Sequence, residues 1–248
     1  MRPLLLISND DGVSSPFLPF FLRFLASVAD FEVVVPAQEQ SWIGRAYSRH
    51  KTLEIKTQTL GEFSVHTING TPSDCVNIAL SHICKKPAAV VSGINIGQNI
   101  GMPLLWSSGT FSAAAEGAMW RFPAFAFSMR LAREYYDACR LRHTMPENSE
   151  LEKSLSAASQ TAAEFVCSRL CGKQKPGVVY NVNFPAQYSL QTPLKQCEPA
   201  RAFGCGLYVE HGGKFNFQYA MRAEDTPALT DFKCLESGCA CFSEISVL

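Results

Sequence analysis

"PLLLISNDDGVSSP", residues 3–16, is the stretch on which the fold turns. Leu4 to Ile7 form an unbroken apolar run, the composition of a strand buried on both faces of a parallel sheet. The run ends in Asn9, Asp10, Asp11 and Gly12. In an open α/β sheet the ligand crevice lies beyond the carboxyl ends of the strands, so two adjacent carboxylates there are placed for chemistry.

Strand-like and helix-like segments alternate outward from this point, the pattern of a parallel sheet wrapped by helices. "SPFLPFFLRFLASVA" (15–29) reads as a helix and "FEVVVP" (31–36) as the second strand. "LEIKT" (53–57) and "FSVHTI" (63–68) read as a pair of shorter strands. "GTPSDCVNIALSHIC" (70–84) reads as a helix with Pro72 in its first turn and Asp74 supporting its positive end. "AAVVSG" (88–93) is a third buried strand, "GINIGQNIGMPLLWSSG" (93–109) a loop, "TFSAAAEGAMW" (110–120) a helix of small residues and "FPAFAFSM" (122–129) another strand. Periodicity weakens over 133–150. It resumes in a helix over 151–171, stopped by Gly172, and in the strand "GVVYNVNFP" (177–185). From Ala186 onward the alternation is lost among short pieces such as "KFNFQYAM" (214–221). The expected organisation is an α/β core over 1–185 and a β-rich C-terminal extension over 186–248.

Apolar residues make up 47% of the 248 residues and charged residues 18%, a globular composition without a membrane-length apolar run. The 22 basic and 22 acidic residues balance, so no overall positive field favours long nucleic acids, and a small substrate is expected. The apolar run near Met1 stops after four residues, too short for a secretory signal, which points to the cytoplasm. The ten cysteines therefore read as reduced thiols rather than a disulfide framework. Cys234, Cys239 and Cys241 lack the second cysteine pair and the nearby histidine of a zinc site. The histidines, His50, His66, His82, His143 and His211, fall in no motif.

Polar residues follow three buried strands: Asn9, Asp10 and Asp11 after the first, Ser41 after the second, and Asn95 and Asn99 after the third. Two carboxylates, a hydroxyl and carboxamides form an all-oxygen set, which suits a hard cation such as Mg²⁺ or Mn²⁺. "SSGT" (107–110) stands just before a helix, where backbone N–H groups and the helix dipole attract an anion. Together these point to hydrolysis of a phosphate ester. Singly, each has a structural reading as well. Asp10 and Asp11 can cap a helix or form an Asx-turn, Ser41 can be a loop serine, Asn95 and Asn99 turn formers, and "SSGT" a plain N-cap.

"NDDG", "VVVPAQEQS", "NGTPSDCVNIAL", "VVSGINIGQNIG", "SSGTFSAAAEG" and "PAFAFS" together resemble, in order and spacing, the SurE family (survival protein E) of metal-dependent nucleotidases. The resemblance implies a Rossmann-like, mostly parallel sheet with a C-terminal extension exchanged between the subunits of a homodimer or homotetramer. It implies hydrolysis of nucleoside 5′- and 3′-monophosphates with one divalent cation, Mg²⁺ or Mn²⁺, per subunit. By motif position, Asp10, Asp11, Ser41 and Asn95 would hold the metal, with Asp10 and Asp11 catalytic. Asn9, Asn99, Ser108, Gly109 and Thr110 would contact the phosphate. The chain departs from the family pattern at Trp42, where a glycine usually follows the serine. It also departs around Met102 and Pro103, where a residue is added and an acidic one replaced. Two other readings share these motifs: a metal-dependent phosphatase of other small phosphoesters, and a nucleotide-binding protein without hydrolysis.

Overall fold

The computed structural model describes residues 2–173, 175–201, 206–218 and 226–248. Strand β1 (Leu4–Ser8) lies in the sheet interior, paired in parallel with β2 (Asp30–Pro36) on one side and β5 (Ala89–Ile96) on the other. Beyond β2 come β4 (Phe63–Ile68), parallel to it, and β3 (Ile55–Leu60), an antiparallel edge. Beyond β5 come β6 (Ala124–Met129) and β7 (Val178–Phe184), both parallel.

Alternation along these strands sorts side chains between two helical layers. Leu5, Ile7, Val33, Val91, Phe125 and Phe127 face α1 (Leu18–Val28) and α5 (Glu150–Leu170). Leu6, Val34 and Val90 face α2 (Pro72–Ile78), while Ala124, Ala126 and Val179 face α4 (Gly109–Met119). The alanines at 113, 114, 115 and 118 let α4 lie close to the sheet, consistent with its small-residue sequence. Between β5 and α4 the loop forms one short turn of helix, α3 (Met102–Leu105).

Strand β5 runs further than its sequence suggests. Gly93 reads as a breaker, yet Ile94 and Ile96 stay buried and the strand continues through a shift in its pairing with β6 between Ser92 and Asn95. Asn95 therefore projects from a strand rather than a loop. The weakly periodic segment also has structure: a 3₁₀ turn at Arg133–Tyr135 and a wide turn of π type at Asp137–Leu141.

The chain beyond Ala186 divides in two. β8 (Leu194–Gln196) and β11 (Ala240–Ser246) rejoin the main sheet, β11 antiparallel to β7 and parallel to β8, completing nine strands. Among the described residues, β9 (Tyr208–His211) and β10 (Lys214–Phe217) form a separate antiparallel ribbon; residues 219–221 of the expected strand lie outside the described residues. Helix α6 (Asp231–Glu236) precedes β11, and its first residue is a buried anchor. The Asp231 carboxylate accepts from the backbone N–H groups of Gly101, Ala200 and Phe232, all at 2.8 Å, tying the C-terminal segment to the loop after β5. Cys197, Cys234 and Cys241 pack with Ile100 and Leu235 beneath that loop. Among the described residues no helix is long and apolar enough to cross a membrane.

Phe127 lies at the centre of the α1/α5 layer, fully buried, with its ring 5.8 Å from Phe21, 6.4 Å from Phe165 and 6.5 Å from Phe184. Phe127→Ala is expected to lower unfolding free energy by ~3–5 kcal/mol, read as a shift of the urea midpoint with an unchanged slope.

Candidate active site

Three loops at the carboxyl ends of β1, β2 and β5 meet at one cleft, and backbone hydrogen bonds hold them together. Gln40 N–H donates to Asp10 O at 2.7 Å, and Gly44 N–H to Ser107 O at 3.0 Å. The first loop is closed by Asn9, whose Oδ1 accepts from Gly12 N–H at 3.1 Å while its Nδ2 donates to Gly12 O at 3.0 Å. The Asx-turn that the sequence allows for the aspartates is thus made by Asn9. Both polar ends of that carboxamide are engaged in the turn, and Asn9 does not line the cleft. In this geometry its carboxamide shapes the loop that carries Asp10 and Asp11.

Asp10 and Asp11 are 4% and 3% exposed. Asp10 Oδ1 accepts from Thr110 Oγ1 at 2.5 Å. Asp11 Oδ2 accepts from Ile96 N–H at 2.8 Å, and its Oδ1 from Arg140 Nη1 at 2.9 Å. Burial pushes the Asp11 carboxyl up to about 7, with the neighbouring Asp10 charge acting in the same direction and the Arg140 guanidinium opposing both. Burial also raises Asp10, against the Thr110 hydroxyl and Arg140. The pair is short of positive charge.

Above the pair is a cleft of about 480 Å³, lined among others by Asp10, Ser41, Asn95, Asn99, Ser108 and Arg140. Ser41 Oγ donates to Glu39 Oε1 at 2.6 Å, and Asn95 Nδ2 to Gly97 O at 3.1 Å. Ser108 caps α4, its Oγ accepting from Phe111 N–H at 3.1 Å. The start of α4 lies directly against the aspartates: a Cβ on Gly109 would stand 2.6 Å from Asp10 Cβ, so only glycine permits this approach. Asn99 is held from behind. Its carbonyl accepts from Asn181 Nδ2 and Asn183 Nδ2, both at 2.9 Å, its N–H donates to Asn183 Oδ1, and its own Nδ2 donates to Ser128 Oγ at 2.9 Å.

Asp10, Ser41, Asn95, Asn99 and Ser108 line one cleft; Asp11 is bonded to Arg140 of the same lining, Gly109 and Thr110 stand against Asp10, and Asn9 closes the loop that carries the aspartates. The structure also adds residues that the motifs do not mark. Arg140, from the irregular turn after β6, reaches Asp11, Glu39 and Ser41. Asn181 and Asn183, spaced by two on a buried strand, clamp the Asn99 loop; that spacing of polar residues in an apolar run is the signal that could have found them. Glu116, 1% exposed within α4, accepts from Arg45 Nη2 at 2.7 Å, Asn77 Nδ2 at 2.8 Å, Trp120 Nε1 at 3.0 Å and the Tyr47 hydroxyl. It fastens the chain after Ser41 to the helix.

Trp42 adopts φ +61°, the left-handed conformation that favours glycine, at the position where the family pattern has one. Its ring meets Phe217 of the β9–β10 ribbon edge-on, with centroids 4.8 Å apart, so aromatic surface stands at the cleft rim. Trp106 is packed edge-on against Phe111, 5.4 Å between centroids.

Comparison with known proteins matches this arrangement to one family. The model of the family described as "Survival protein SurE" matches residues 5–203. The 5′-nucleotidase SurE of Methanospirillum hungatei is 36% identical over 187 residues, which cover 75% of this chain and 64% of that protein. The 5′-nucleotidase SurE of Flavobacterium johnsoniae is 29% identical over 246 residues, covering 96% of this chain and 88% of its own length. The crystal structure of the SurE protein from Aquifex aeolicus shares the fold with a TM-score of 0.72 at 24% identity, covering 98% of this chain and 93% of that one. A matched segment of 199 residues that contains every residue of the cleft leaves one assignment: the chain belongs to the SurE family.

Proposed function

We propose that the protein is a divalent-metal-dependent phosphomonoesterase that hydrolyses nucleoside 5′- and 3′-monophosphates to nucleoside and phosphate. The observation that carries this reading is the buried Asp10–Asp11 pair at the cleft floor, set against the N-terminus of α4. The relatives named 5′-nucleotidase SurE support the substrate class. So does the aromatic surface of Trp42 in the cleft lining, which suits a nucleobase better than a sugar phosphate.

The donor set fits a hard cation. Asp10, Asp11, Ser41 and Asn95 offer oxygen only, and two adjacent carboxylates raised by burial favour a positive partner. These four residues would hold one Mg²⁺ or Mn²⁺ per subunit. When bound, such an ion supplies Lewis-acid polarisation of a phosphoryl oxygen and acidifies water. The remaining work falls to the chain. The start of α4 at Ser108, Gly109 and Thr110, the positive end of the helix, holds the phosphate and stabilises charge that develops on it. Thr110 Oγ1 fixes Asp10 in place. The aspartate pair, whose affinity for a proton burial raises, is placed to accept one from the attacking water. Asn9, Asn181 and Asn183 keep the two flanking loops in register.

We also read the chain as a cytoplasmic homodimer or homotetramer, with residues 186–248 contributing to assembly. Tyr208, Phe215 and Phe217 of the ribbon expose aromatic surface suited to a second subunit.

Phosphate release from a panel of nucleoside monophosphates and other phosphoesters, run with Mg²⁺, Mn²⁺ or EDTA, tests the reading. Release is expected to require metal, to prefer nucleotides, and to fall at least ~10²-fold in Asp10→Asn, a loss of the size seen when one stabilising group leaves an active site. Metal-independent release, or near-normal activity in that variant with an unchanged melting temperature, would contradict it. Gly109→Ala, which drives Asp10 away from α4, is expected to lower kcat about 10²-fold, as for a displacement of about 1 Å; kcat within twofold of the wild type would show that close approach to be irrelevant.

A further inference from the structure

Arg140 stands among the acidic groups of the cleft. Its Nη1 lies 2.9 Å from Asp11 Oδ1, 2.8 Å from Glu39 Oε1 and 3.3 Å from Ser41 Oγ, and its Nη2 donates to Ile96 O. The side chain is 18% exposed, with Asp11 at 3% and Glu39 at 38%. Its contacts fall on the Asp11 side of the pair, whereas the anion-binding start of α4 is joined to Asp10 through Thr110. The guanidinium is therefore aligned with the carboxylate and hydroxyl that would ligate a cation, not with the end of the site that would receive the phosphate.

We infer that Arg140 is a tethered counter-cation that takes the divalent ion's share of Asp11 and Ser41 and sets how tightly the site binds metal. This rests on the reading of Asp10, Asp11, Ser41 and Asn95 as the metal ligands. A guanidinium bonded to Asp11 Oδ1 and a divalent ion on the same carboxylate repel each other strongly at contact distance in a poorly solvated site. Ion binding then requires the guanidinium to give up Asp11 and Ser41. Glu39, more exposed and already bonded to the same Nη1, is the carboxylate that retains it. The charges close on this arrangement: Asp10, Asp11 and Glu39 balance one divalent ion and one arginine. In the metal-free protein Arg140 holds the acidic loops together; in the loaded protein it is a second cation that lowers affinity.

The test is isothermal titration of the full-length, metal-free protein with Mn²⁺ alone, comparing wild type, R140Q, R140K and D10N. R140Q is expected to bind Mn²⁺ at least tenfold more tightly than wild type, while R140K, which keeps the charge, stays within about threefold of it. Unchanged or weaker binding in R140Q would overturn the inference, showing that Arg140 orients Asp11 or serves the phosphate instead. D10N separates the two layers of the argument. Loss of Mn²⁺ binding in D10N with R140Q equal to wild type would defeat only the role of Arg140, whereas D10N binding as well as wild type would remove the metal site itself. Should R140Q fail to fold, the Arg140 guanidinium ¹⁵N signal of the wild type, assigned by its loss in R140K, carries the test under Mg²⁺ titration. A shift that saturates with the ion supports displacement, and an unmoved signal refutes it.

Discussion

Two carboxylates side by side in a nearly dry pocket demand a positive partner, and the rest of the site is arranged around that demand. Asp10 and Asp11 are adjacent in the chain and almost fully buried. Each is held by a donor from a distant element: Thr110 at the start of α4 for Asp10, and Ile96 of β5 together with Arg140 for Asp11. Burial nonetheless leaves the Asp11 carboxyl near 7. An unfolded aspartate titrates near ~3.9, so between about pH 4 and 7 the folded pair holds a proton that the unfolded chain has released. The metal-free fold therefore loses stability as pH rises through that window.

The sheet makes this placement possible. Parallel strands β1, β2 and β5 end on the same side, so three sequence-distant loops emerge together and can be joined by backbone hydrogen bonds such as Gln40 to Asp10. The C-terminal segment reinforces the same face. Asp231 carries a second buried carboxylate, but there three backbone N–H groups surround it and anchor the loop that bears Asn99. Burial raises Asp231 as well, but its bonds come from three backbone N–H groups, whereas the Asp10–Asp11 pair sets two carboxylates side by side with Arg140 against one of them.

Much of the fold was legible because it rests on local patterns. The apolar runs at Leu4 to Ile7 and Val33 to Val35 mark strands buried on both faces, and the alanine run at 113–115 marks a helix packed close to a sheet. Legibility fails where the decisive contact is long-range. Gly93 reads as the end of a strand, and only pairing with β6 carries β5 on to Asn95. β11 joins β7 from more than fifty residues away, so a segment that reads as an appendage completes the main sheet. Among site residues, the aspartates, Ser41 and the "SSGT" motif could be found from their positions after strands. Arg140 could not, because it comes from a turn without periodicity and acquires meaning only from what it touches. For Asn9 the sequence places the residue in the loop, and only the structure shows that its carboxamide closes the turn.

The central claim is that the aspartate pair holds a proton which a divalent ion must expel. Calorimetric titration of the metal-free protein with Mg²⁺ at pH 6.5, repeated in buffers of different ionisation enthalpy, counts the protons released. An Asp11 carboxyl near 7, beside an Asp10 that burial also raises, predicts a net release of protons on ion binding at that pH, diminishing as pH rises. Binding at pH 6.5 with no proton release would contradict it, because the pair would then already be fully charged before the ion arrives.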